Sequence, residues 1–171
     1  MKPINILLSS LSLMACLICS TSFAENIVAP ADFLDKATAR DITEIETGKL
    51  ALQNAKRPEV IAYAQHMIAE HSANNKELVK LAEQKNIPLR NETELANNIR
   101  AFVARQIDEK SFDIAYAKNQ VLTHQRTVQL FRHAIVSDDQ EVRAFAKAML
   151  PKLMHHLYMA QQLLEATSTP T

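Results

Sequence analysis

Three of the six histidines, His71, His124 and His156, fall at positions where a helical seam would otherwise carry an aliphatic residue. His71 continues the line Ile61, Ala64, Ile68, Asn75, Leu78 and Ala82. His124 continues Ile114, Ala117, Val121, Val128, Phe131 and Ile135. His156 continues Val142, Phe145, Met149, Leu153, Ala160 and Leu163. The alternating spacing of three and four residues is that of a bundle helix, so these imidazoles are expected to face inward. The same phase turns His66 and His133 outward and leaves His155 undecided.

A carboxylate joins them. Glu44 shares a line with Phe33, Ala37, Gly48 and Ala51, and Glu46, on the other side of Ile45, is the second candidate. Depth follows from the turns. Glu44 lies 13 residues before Arg57, His71 14 after it, and His124 13 before Ser137, so at ~1.5 Å per residue all three stand near mid-height. His156, 19 residues past Ser137, stands about a turn away.

A buried imidazole or carboxylate without a partner costs about 1–3 kcal/mol or more. Such groups must therefore satisfy one another or hold something. Two readings follow. In the first, His71, His124 and His156 with Glu44 or Glu46 hold a transition-metal ion; the donors suit Zn, Fe, Cu or Ni, and Zn or Fe is the expected ion. In the second, the same residues form a His–Glu hydrogen-bond network without metal, and the bundle works through an envelope protein or a second copy of itself. A di-iron centre of the ferritin kind needs paired Glu-x-x-His motifs. The residues three before the histidines are Tyr63, Ile68, Val121, Leu130, Lys152 and Leu153, so the motif is absent. Oxidative catalysis is disfavoured on that ground, and no catalytic residue is assigned.

The elements that must position these groups are helices. Gly48 is the one glycine in the chain and there is no tryptophan. Tight hairpin turns want glycine, so a multi-stranded sheet is hard to build from this composition. Long helices are predicted over about 30–56, 58–85, 111–136 and 138–165, with a shorter amphipathic connector over 93–107. Pro58 suits a first helical turn, Ser111 a cap, and Asp138-x-x-Glu141 a capping box. Pro151 is expected to kink the last helix. The segment Asn74 to Lys85 reads as a solvated face, and 166–171 as a disordered tail. Glu59–Met67 and Glu141–Met149 share five identical positions, which suggests a duplicated hairpin. The expected fold is all-α: a ferritin-like four-helix bundle with a short connector helix between two helical hairpins, spanning 25–165.

Lys2, an apolar run from Ile4 to Cys19, and Ser22-Phe23-Ala24 have the form of a secretory leader, 1–24, cut after Ala24. The run falls short of the ~20 apolar residues of a bilayer span, so no transmembrane anchor is expected. Periplasmic release is the first expectation and a lipid anchor on Cys16 the alternative. Cleavage would remove both cysteines, Cys16 and Cys19. Basic and acidic residues number 19 each, and that balance argues against nucleic acid as a partner.

Four segments carry a resemblance: Ile42–Ala51, Tyr63–Ser72, Ser111–Tyr116 and Leu150–Leu157. Together they resemble the bacterial exported family called domain of unknown function 4142, over about 32–164. The resemblance implies a ferritin-like fold and an export signal, and brings no assigned activity. It implies that His71, preceded by the acidic Glu70, then His124 and His156 are the family's histidines. Where family members often have Asp-His, this chain has Thr123-His124.

Overall fold

The structure is a computed structural model that describes residues 28–104 and 112–169. The leader, the cleavage point at Ala24, the alternative anchor at Cys16 and the cap at Ser111 lie outside the described residues. Five helices account for the regular structure among the described residues: α1 (Pro30–Asn54), α2 (Pro58–Gln84), α3 (Glu92–Ala104), α4 (Phe112–Ala134) and α5 (Gln140–Ser168). The expected helical bundle is what forms. No described helix is long and apolar enough to cross a membrane.

Local chemistry sets the ends. Pro30 and Pro58 open α1 and α2, where a missing N–H costs nothing and φ is already helical. Asn86 adopts φ 54° and ends α2, with Ile87 N–H donating to Ala82 O and Asn86 N–H to Glu83 O. This is the left-handed C-terminal cap that glycine usually supplies, here built from asparagine. The cap of α5 is Asp139 rather than Asp138: its Oδ1 accepts from the Glu141 and Val142 N–H groups. The turn before it is one residue longer than the capping-box spacing implies. The tail also differs from expectation, since α5 runs on to Ser168 with Thr167 buried. The Arg57 guanidinium holds that end by donating to Ala166 O and Thr169 O. Helix α5 is continuous through Pro151, and the proline is exposed.

Helices α1 and α2 form one close antiparallel hairpin and α4 and α5 the other. Side chains fix how they stack. Asp113, at the start of α4, accepts from the Lys56 and Arg57 N–H groups in the α1–α2 turn. At the opposite end, Lys85 Nζ meets Asp139 at 2.6 Å and Glu141 at 2.7 Å. The chain therefore leaves α2 at one end of the bundle and begins α4 at the other. The crossover runs along α1 through α3, with Arg90 paired to Asp35 and Arg100 to Glu46.

Two apolar clusters occupy the two ends. Phe33, Leu34, Leu78, Phe131, Val142 and Leu153 lead one, with Phe33 edge-on to Phe131 at 5.0 Å between centroids. Val60, Tyr63, Met67, Tyr116, Ala160 and Leu163 lead the other. Gly48 lies in the hairpin seam, where a Cβ would stand 2.7 Å from Ile68 Cγ1, so the missing side chain lets the two helices approach closely. Several seam assignments move by one residue. Ile114 is exposed while Tyr116 and Gln120 are buried, and Asn74, expected in solvent, is interior together with the seam residue Asn75. Between the two apolar ends lies a polar layer.

Candidate metal centre

That layer brings together one histidine from each of three helices. His71 of α2, His124 of α4 and His156 of α5 are 2%, 1% and 4% exposed. Each offers one ring nitrogen, and the three nitrogens lie within 4.8 Å of one another. Ring centroids are 5.5 Å apart for His71–His124, 5.3 Å for His71–His156 and 5.6 Å for His124–His156.

The partners of the outer nitrogens decide what the inner ones can do. Asp41 of α1 accepts from His71 Nδ1 at 2.8 Å, and its other oxygen accepts from Asn74 Nδ2 at 2.6 Å. His124 Nδ1 donates to the Gln120 carbonyl, one turn back, at 2.9 Å. In both neutral rings the proton is thereby committed to Nδ1, which leaves a lone pair on Nε2. Those two Nε2 atoms face each other at 3.4 Å. Two lone pairs at that distance require something positive between them, either a proton or a cation. A tetrahedral ion with imidazole ligands at about 2.0–2.1 Å sets its ligand nitrogens about 3.3–3.4 Å apart. The observed His71–His124 edge matches that spacing, and the His156 nitrogen lies within 4.8 Å of both.

Electrostatics separates the three rings. His71 is held above its ordinary pKa: burial pulls it down, but the Asp41 hydrogen bond and charge, with Glu44 and Glu70, outweigh that. Burial pushes Asp41 above the usual carboxylate range, against its hydrogen bonds from His71 and Asn74. His124 is pulled down by burial, and His156 to about 3 by burial and by the neighbouring histidines. His124 and His156 are thus neutral imidazoles, the form that binds metals.

Glu44 is 3% exposed, and its Oε2 has no hydrogen-bond partner. Its charge acts on His71 and His124 on one side and on the phenols of Tyr63 and Tyr116 on the other, both pushed up chiefly by burial. It sits beside the histidine group rather than within it. Glu46 is buried too, but it faces the crossover, where it meets Lys49 and Arg100 at 2.8 Å each. The structure therefore unites His71, His124 and His156, places Glu44 next to them and directs Glu46 elsewhere.

Sequence reasoning missed Asp41, Asn74 and Gln120. Asp41 had a legible signal: it fills the vacant step between Ala37 and Glu44 on the α1 seam. Gln120 had a weaker one, being a turn before His124. His66 is exposed as expected, yet its ring centroid lies 5.8 Å from that of His156. His155 is exposed and stacks on Tyr158.

No curated protein and no solved structure matches this sequence. The family model described as Domain of unknown function (DUF4142) matches residues 20–163, most of the chain and all three histidines, and the protein belongs to that family.

Proposed function

We propose that the protein is an exported four-helix bundle that binds one divalent transition-metal ion, of the zinc class, through His71, His124 and His156. The observation that carries this reading is the 3.4 Å approach of the His71 and His124 Nε2 atoms, with each ring's Nδ1 engaged by Asp41 or the Gln120 carbonyl. Asp41 orients His71 and raises its basicity, the role that a carboxylate behind a metal-bound histidine commonly plays. Asp41 and Glu44 together offset the charge of a dication in a layer closed by apolar residues at both ends. Three neutral nitrogens suit Zn, with Fe, Cu, Ni and Co as competitors for the same donors. Glu44, buried with its Oε2 unpaired, is the carboxylate free to serve a fourth position, directly or through water. The end-to-end crossover supports a ferritin-like arrangement, although the paired Glu-x-x-His motif is missing. The leader-like segment 1–24 supports export to the periplasm.

The protonated network is the competing reading, and one feature favours it: with Asp41 behind it, His71 can carry a second proton on Nε2 and donate it to His124. The two readings separate in one experiment. The protein, isolated without an affinity tag and stripped by chelator, is titrated with Co(II) and then Zn(II). Metal binding predicts one equivalent of Co(II) with intense visible bands, displaced by Zn(II), and loss of uptake in His71→Ala and His124→Ala. A stripped protein that takes up neither ion leaves the protonated network.

A further inference from the structure

The buried triad has a fourth histidine at its edge. The His66–His156 centroid separation of 5.8 Å is close to the 5.3–5.6 Å found within the triad, yet His66 is exposed. His156 is therefore shared between an internal group and a pair that reaches solvent. Its Nδ1 is buried and without a hydrogen-bond partner, so no bond on that atom fixes the ring in one orientation. The pair straddles the seam between α2 and α5, which belong to different hairpins and approach each other less closely than either hairpin's own helices. Glu70, one turn beyond His66, stands partly exposed on the same rim and loosely paired with Lys152 at 3.8 Å. Its charge reaches His71.

A cation entering a closed bundle must lose water stepwise, and each lost water has to be replaced by a protein ligand for the barrier to stay low. We propose that His66 and His156 form the loading site of the metal centre: a divalent cation is first held by this pair at the α2–α5 seam, then passed to His71 and His124 as His156 turns inward. His156 stays a ligand throughout, and His66 is exchanged for the two interior rings. This rests on the metal-binding reading above and goes beyond it by assigning a route.

A loading ligand lowers the barrier in both directions and leaves the end states alone. With Co(II) as probe, stopped-flow absorbance gives the association rate and a chelator chase gives the release rate. His66→Gln is expected to slow both by about tenfold or more while changing Kd by less than about twofold. His66→Asp, which restores a ligand atom, recovers most of the rate, and His155→Gln, on the exposed side of α5, leaves it unchanged. Wild-type rates in His66→Gln would overturn the proposal. So would a weaker Kd that arises from faster release alone, which marks His66 as a resident ligand, or equal slowing by His155→Gln, which marks a general rim effect. If wild type takes up no Co(II), the metal-binding reading fails and the route with it. Uptake by wild type with unaltered rates in the variant sinks only the route.

Discussion

The phenylalanine end of the bundle and its middle layer are buried alike, but they hold together by opposite means. At the end, Phe33 meets Phe131 and Phe145 edge to face, those two are tilted against each other, and Leu34, Leu78, Val142 and Leu153 fill between them. Every group there gains from leaving water and needs no partner. In the middle, Asp41, Glu44, Asn74, Gln120 and three histidines replace aliphatic residues on the same seams, and Glu44 Oε2, Gln120 Nε2, Asn74 Oδ1 and His156 Nδ1 lack hydrogen-bond partners. Such a layer weakens the fold unless something completes it. The difference teaches where stability and function reside: the end layers fold the chain, and the middle layer spends part of that stability on a polar chamber.

The largest effect expected from breaking this contrast is at the apolar end. Phe131→Ala removes a ring 1% exposed and should cost about 3–5 kcal/mol in urea unfolding, while the folded fraction still binds one metal ion. Loss of binding at full folding would mean that the two layers are coupled rather than independent.

Next in size is the metal's own contribution. An ion at a hundredfold excess over Kd should stabilise the wild type by about 2.7 kcal/mol and leave His71→Ala and His124→Ala unmoved, as read by thermal melting with and without Zn(II). His156→Leu sharpens the comparison. It replaces an imidazole with an unpartnered nitrogen by an apolar side chain, so the metal-free variant should be as stable as wild type or more so, while its response to Zn(II) vanishes. A large loss of metal-free stability would make His156 a structural residue like Phe131.

A smaller effect is expected at Asp41. Asp41→Asn keeps the shape but can present an N–H to His71 Nδ1, which drives the ring to the other tautomer and places its proton on Nε2. Metal affinity should fall by about 10–100-fold, equivalent to about 1.4–2.7 kcal/mol, in a competition titration against a chromophoric chelator. Unchanged affinity would remove Asp41 from the centre.

The contrast also explains what could be seen in the sequence. Seam periodicity exposed His71, His124, His156 and Glu44 because a polar residue in an apolar row is conspicuous. It failed for Asn74 and Gln120, since polar residues on a helix look like solvated surface until a partner helix covers them, whereas Asp41 stands on the α1 seam between Ala37 and Glu44 and is open to the same reading. It also misplaced Glu46. Burial there is set by the crossover, with Arg100 supplying the ion pair, and no periodicity within α1 reports on a helix that comes 50 residues later. The α5 cap and the extension to Ser168 depend on Asp139 and on the distant Arg57, which single-helix patterns do not reveal.

The smallest effect is on pH dependence, because the histidines of one layer pull in opposite directions, His71 one way and His124 and His156 the other. His156 titrates near 3 in the folded protein against its ordinary 6.5, so the unfolded chain takes up its proton first. The stability it contributes is complete above pH 6.5 and declines as pH falls from there toward 3. His71 has a raised value, so its contribution is complete below 6.5 and is lost as pH climbs through the folded value. Between pH 7.5 and 5.5 His71 therefore acts against His156 in the metal-free wild type. Removing one reveals the other: the Tm advantage of His156→Leu over wild type should widen as pH is lowered from 7.5 to 5.5, since the variant no longer loses stability by failing to protonate that ring. A gap that narrows on acidification would show that His156 is protonated in the fold, and then it could not serve as a neutral ligand beside His71 and His124.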